Sequence, residues 1–374
     1  MKRRILFVIF FMLILSFTAS AEEISGEFFY KEQYEISGAG SLQEYLPEEV
    51  EKSLDKGGIE PSDINWVNNI TAQNVFSHIW GFLKSGGKTV FSSAAALLSI
   101  ILISGACENM ELKTDTASLS NYATTLSVAA VITAPVLATV KASVNAMQGC
   151  AVFMMAFIPV FAAIVAACGS AITSVSMSAL LLGAAQAVNY IANFVVIPLL
   201  GGYTAISIAS SVSPVVSSSG VAEGIKKLSF WIMSLVTTVF IGILSIQTAV
   251  NASADTLSLK TAKFIIGSAV PVAGTALSEA LTTVTASMGM LRSSVGIYGV
   301  VACSAIFLPL LAELLIWRVV LVLSASISDL FSLGKISALL RSVDTVMSVL
   351  MGIILLTCTL FIISLTVVVT AGKG

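Results

Sequence analysis

The run Ala146–Cys168, AMQGCAVFMMAFIPVFAAIVAAC, holds twenty-three residues and no charge. As an α-helix rising about 1.5 Å per residue it measures about 35 Å, enough to cross a hydrocarbon core of about 30 Å. Working outward, further apolar runs of span length lie at roughly 89–107, 119–140, 177–200, 228–250 and 345–370, with a weaker Ser-, Ala- and Gly-rich one at 203–222. The run 297–331 would measure about 51 Å as one helix, so it must tilt strongly, break, or continue along the interface. Composition agrees with this reading. The 374 residues are 56% hydrophobic and 11% charged, with a mean hydropathy of +0.96, against about 45–50% and about 25% in soluble domains. The fold class that follows is all-α: a polytopic helical membrane protein of about seven to nine spans.

Charge is distributed unevenly. From Glu22 to Asp63 there are twelve acidic residues and three basic ones, whereas 89–374 carries nine acidic and eleven basic. At the start, Lys2, Arg3 and Arg4 precede an apolar run from Ile5 to Phe17 and then Ala19-Ser20-Ala21. That order is the pattern of a cleaved signal peptide, 1–21. An acidic extracytoplasmic region, 22–88, follows, and then a membrane domain, 89–374.

Residues 22 to about 40 are rich in Glu, Gly and Ser and are expected to lack regular structure. From Ser41 a helical stripe sets in at Leu42, Leu46, Val50 and Leu54, and Gly57-Gly58 stops it. A second stretch, introduced by Pro61-Ser62-Asp63 and carrying Trp66 and Trp80, suits a helix at the headgroup layer. A contact within a soluble mini-domain is the other reading. With the mature N-terminus outside, the positive-inside rule places Lys226, Lys227, Lys335 and Arg341 in the cytoplasm. Lys141, Lys260 and Lys263 then fall on the opposite side.

The segment 251–295 is too polar for a lipid-facing helix and too apolar for a free loop. Asp255, Lys260, Lys263, Glu279 and Arg292 punctuate Ala, Gly, Ser and Thr, and Pro271 sits between Gly267 and Gly274 as a candidate helix break. Broken backbone at membrane depth needs protein or a water-filled cavity around it, and ionisable groups there point to function. An interfacial hairpin whose charges reach water is the alternative. In the run 297–331, Glu313 and Arg318 lie five apart, off the spacing of three or four that stacks side chains on one face. Arg318 is expected to snorkel toward the cytoplasmic face, or else to pair with another helix. Glu313, on a shorter stem, joins Glu279 as the first candidate for a functional or helix-locking polar site.

Enzyme chemistry finds little support. The single histidine, His78, precedes the membrane domain, which excludes intramembrane zinc and serine–histidine proteases. Asp255, Asp329 and Asp344 all fall near segment ends, whereas an aspartyl protease needs two facing Asp residues at depth. Gly81–Thr89, GFLKSGGKT, has five residues between its glycines where a phosphate loop needs four. The five cysteines show no Cys-x-x-Cys pair and read as small buried apolar groups. No catalytic residue, cofactor, metal or nucleic-acid partner is expected; the lipid bilayer is.

One resemblance is specific. Thr256–Gly267 (TLSLKTAKFIIG), Val270-Pro271-Val272 with Gly274, Ser293–Val300 (SSVGIYGV) and Ser364–Gly372 (SLTVVVTAG) closely resemble the stage III sporulation protein AE family. Leu46-Pro47-Glu48 and the stretch Trp66–Lys84 have a similar layout. The resemblance implies a subunit made in the mother cell of an endospore former and placed in the membrane around the forespore. Its partners would be the other stage III A-operon membrane proteins and a forespore membrane protein across the intermembrane space. Together they would form a channel-like complex that sustains late forespore transcription. An autonomous small-solute permease is the competing expectation, since broken helices with buried charges fit transporters.

Overall fold

The computed structural model describes residues 27–59, 61–62, 66, 90–106, 116–212, 220–221, 223–225, 227–232, 234–246 and 274–370; for 116–122 and 274–287 it describes backbone alone. Among these residues every regular element is a helix. In chain order they are α1 Glu27–Ile36, a 3-10 helix Ala39–Tyr45, α2 Glu48–Lys56, α3 Val90–Ala106 and α4 Thr116–Ala167. Then come α5 Ala171–Ile191, a π-helical turn Ala192–Val196, α6 Ile197–Val212, α7 Glu223–Ile246, α8 Gly274–Leu330 and α9 Gly334–Thr370. Among the described residues five helices are long and apolar enough to cross a membrane, and α3 is a shorter apolar one. The protein is a helical membrane protein.

The helices are longer than the sequence expectation. The runs 119–140 and 146–168 join into α4, whose 52 residues contain Pro135 and Pro159. A helix tolerates a proline when neighbouring groups take up the freed backbone partners. The run 177–200 contains the π turn and continues without a loop through α6 into the described part of 203–222, and residues 297–330 belong to an unbroken 57-residue α8 containing Pro309. Gly274, a candidate break, is the first residue of α8; Gly267 and Pro271 lie outside the described residues.

Two turns are built by left-handed residues. Gly169 (φ 87°) ends α4, and the Ser170 N–H donates to the Val165 carbonyl at 3.2 Å, which satisfies an orphan acceptor of the last turn. At the α8–α9 turn the same role falls to Ser332 (φ 59°), with Leu333 N–H donating to Ser328 O at 2.9 Å.

The core lies between α4, α8 and α9, which bury far more of their surface than α5 to α7 do. Three glycines let phenylalanine rings press against neighbouring helices: Gly105 under Phe331, Gly299 under Phe157 and Gly352 under Phe230. Cys150, Cys303 and Cys358 are buried in this core, with the sulfurs of Cys150 and Cys303 3.8 Å apart.

The N-terminal region docks on this core. Leu42, Leu46, Val50 and Leu54 are all buried, as the stripe predicts. Pro47 splits their helix into a 3-10 turn and α2, because a proline has no N–H to continue the ladder. Gly58 (φ 64°) ends α2. Contrary to the expectation for 22–40, α1 is a helix. Its Tyr30 and Tyr34 stack with ring centroids 6.3 Å apart and are buried, so tertiary contact overrides the polar composition.

Candidate functional site

Polar side chains inside the bundle meet at three levels along α8, which suits ionisable groups in a membrane domain. The first level joins the N-terminal region to the membrane domain at Ser294. Tyr30 Oη lies 2.7 Å from the Pro61 carbonyl and 2.8 Å from Ser294 Oγ, and Trp66 Nε1 lies 3.2 Å from the same Ser294 Oγ. Each hydroxyl has one proton and the indole only donates. The proton order is therefore Trp66 N–H to Ser294, Ser294 O–H to Tyr30, and Tyr30 O–H to Pro61. The Trp66 ring also stands at 90° to Tyr298, which meets Phe153 of α4 at 66°. Phe157 and Phe161 extend this aromatic column. Pro47 lies against Gly149, where an added Cβ would stand 3.0 Å from the proline Cγ. Trp66 is thus a docking residue and not a headgroup anchor; Trp80 and His78 lie outside the described residues.

Arg292, two residues before Ser294, is 3% exposed. The candidate positions Lys260 and Lys263 lie outside the described residues, and Glu279 is placed in the first turns of α8 by its backbone alone.

The second level is near the middle of α8. Glu313 Oε1 lies 3.4 Å from Thr139 Oγ1 of α4. The third is an ion pair between helices: Arg318 Nε donates to Asp344 Oδ1 of α9 at 2.8 Å, and its Nη2 to Oδ2 at 3.4 Å. Both partners are about one-fifth to one-quarter exposed. Arg318 therefore ties α8 to α9 through a side chain of the neighbouring helix. The spacing of five is no obstacle, because Glu313 faces α4 and Arg318 faces α9. Toward the end of α8, Arg341 Nη2 donates to Asp329 Oδ2 at 2.6 Å, in an exposed pair that pins the α8–α9 turn.

Sequence reasoning misses Thr139, Asp344, Ser294 and Trp66 as partners. Asp344 precedes an apolar run and looks like a segment end, but α9 begins at Gly334, ten residues before it. Among the described residues no three His, Cys, Asp or Glu side chains are placed to hold a metal. An open apolar groove of about 480 Å³ between α6 and α7, lined by Phe194, Pro198, Tyr203 and Ile225, presents no charged group. The arrangement locks helices and fixes the N-terminal region.

Comparison with known proteins agrees with these observations. Residues 67–372 match the family model described as Stage III sporulation protein AE. The chain is 27% identical over 225 residues to the Stage III sporulation protein AE of Bacillus subtilis (strain 168), covering 59% of this chain and 55% of that protein. It thus spans about half the length of that curated relative. No solved structure matches. The match across nearly the whole membrane domain, on a helical fold carrying these buried polar contacts, makes this chain a member of the stage III sporulation protein AE family.

Proposed function

We propose that this protein is a non-enzymatic membrane subunit of the channel complex linking mother cell and forespore, required for endospore formation and late forespore gene expression. Membership of a stage III sporulation family implies a role in sporulation, and the match over residues 67–372 is the observation that carries the reading. The chemistry of the described residues supports it. Arg318 and Asp344 pair between α8 and α9, and Glu313 of α8 meets Thr139 of α4, as in a scaffold that must hold its shape. The docked N-terminal region keeps Glu32, Glu35, Glu44, Glu48, Glu49 and Asp55 exposed among Lys31, Lys52 and Lys56, a net-acidic surface that would suit protein partners in the intermembrane space. In this reading the chain sits in the mother-cell membrane around the forespore with its mature N-terminus in that space. Its partners are the other A-operon membrane proteins and a forespore membrane protein.

Affinity purification of the tagged protein from sporulating cells tests this. The A-operon proteins should co-isolate with it, and the protein alone in liposomes should move no solute. Isolation without those partners, together with solute uptake by the reconstituted chain, would instead identify an autonomous permease.

A further inference from the structure

The continuous helix formed by α5, the π turn and α6 turns one side to the bundle, where Leu181, Ala184, Leu200 and Tyr203 are buried. Its other side is free of the bundle and carries no charge, yet it is not purely apolar. Gln186 is exposed there, and Asn189 and Asn193 are partly exposed. All three lie near the middle of the 37-residue span Ser174–Ser210, far from either aqueous end.

The protomer uses only part of what these amides offer. A carboxamide has two donor hydrogens and an acceptor oxygen. Asn193 Nδ2 donates to the Asn189 carbonyl at 3.0 Å and to Asn189 Oδ1. Gln186 Nε2 meets only the thioether of Met155, a weak acceptor, at 3.2 Å. Among the described residues no hydrogen bond uses Asn189 Nδ2, Asn193 Oδ1 or Gln186 Oε1. At membrane depth no water replaces the missing partners, so leaving them unmet is costly.

The π turn places small residues on the same face, beyond the amides. At about 100° per residue, Ala179, Gln186 and Asn193 fall within about 40° of one another. In an uninterrupted α-helix Gly202 and Ala209 would stand about 140° and about 120° from Ala179. The π turn Ala192–Val196 adds one residue to the ladder and takes back about 100° of that rotation. Ala179, Gln186, Gly202 and Ala209 are accordingly all exposed, and a Cβ at Gly202 would meet nothing within the protomer. Small residues above and below an amide belt let another helix approach closely enough to bond it.

We infer that this face is an intramembrane interface between two copies of this chain, related by a two-fold axis along the membrane normal. The amide is the group that suits a second copy, because it both donates and accepts and so complements itself. Two copies inserted in the same orientation bring their amides to the same depth. Asn189 Nδ2 of each copy then donates to Asn193 Oδ1 of the other. Ser174–Ser210 holds no charged residue that would repel its own copy or require an opposite charge on an unlike helix. This inference stands independently of which complex the protein serves.

The test uses the full-length chain expressed alone in bacterial membranes. Under a mild thiol oxidant, Gly202→Cys should give an adduct of twice the chain mass, several-fold above the unsubstituted chain. Val322→Cys, on an exposed part of α8, should stay at that background. Adding Asn189→Leu and Asn193→Leu to Gly202→Cys should remove most of the adduct. Should the asparagine variant not fold, Gly202→Leu supplies the second measurement: native mass spectrometry should find the wild type as a dimer and this variant as a monomer. Equal cross-linking at 202 and 322, an undiminished adduct in the asparagine variant, or a wild type of single-chain mass overturns the inference. So does a Gly202→Cys adduct with a different protein, which would assign the face to an unlike helix.

Discussion

Tyr30 and Ser294 stand 264 positions apart in the chain and meet at 2.8 Å in the folded protein. That contact, with Trp66 on the same serine, makes the N-terminal region a fixed part of the membrane domain. Ser294→Ala removes the centre of the chain and leaves the buried Trp66 N–H without its acceptor. An unsatisfied buried donor costs about 1–3 kcal/mol. Limited proteolysis should cut the region before Trp66 several-fold faster in the variant, with the membrane domain still intact.

The Arg318–Asp344 pair predicts asymmetric mutational effects. Arg318→Leu leaves the Asp344 carboxylate without its cation and should lower stability by several kcal/mol, approaching the ~3–5 kcal/mol of a fully buried pair. The double variant Arg318→Leu/Asp344→Leu should recover most of that loss. Thermal unfolding in detergent reads both. Equal loss in single and double variants would show that the two side chains do not act on each other.

Gly299 is required by the ring of Phe157, which is fully buried. A Cβ at 299 would enter that ring, so Gly299→Ala should destabilise by about 1–3 kcal/mol, the usual range for overpacking. Adding Phe157→Leu should restore part of it. Gly183, where a Cβ meets nothing, provides the control: Gly183→Ala should leave the unfolding temperature unchanged or raised.

Tyr34 gives the docked region an alkaline limit. Burial, and next the neighbouring Tyr30, push its phenol from the ordinary 10 up to about 12. The neutral phenol is thus the form that folds, and the folded value lies above the unfolded one. Its contribution is complete below pH 10 and is lost as pH rises from there through about 12. The total is on the order of 2–3 kcal/mol. Phenolate absorbance against pH should show this tyrosine titrating late and together with release of the N-terminal region, and Tyr34→Phe should remove one tyrosine's worth of the late absorbance change.

The membrane fold is legible because uncharged runs such as 146–168 leave no other solvent for the chain. The joins between helices are not. Nothing local distinguishes a turn near Lys141 from a helix passing straight through it, and the passage is decided by α8 packing along both halves of α4. The stripe Leu42, Leu46, Val50 and Leu54 is visible at its fourfold spacing, whereas α1 is hidden because its two buried tyrosines are flanked by Glu and Lys. Among the site residues, Glu313 and Arg318 stand out as charges in an apolar run. Thr139 and Ser294 do not, since a hydroxyl in a helix is ordinary until its partner from a distant helix is known, and Asp344 reads as a segment end because the start of α9 is hidden.

The length of α8 has an effect that reaches beyond packing. Its 57 residues measure about 86 Å at about 1.5 Å per residue, nearly three times a hydrocarbon core of about 30 Å. Ser294 holds the N-terminal region near one part of this rod, and Arg318 grips α9 twenty-four residues further on, about 36 Å away. No loop separates the two grips, so the anchor of the N-terminal region and the α8–α9 lock are joined by continuous helix, with Pro309 as the one proline between them.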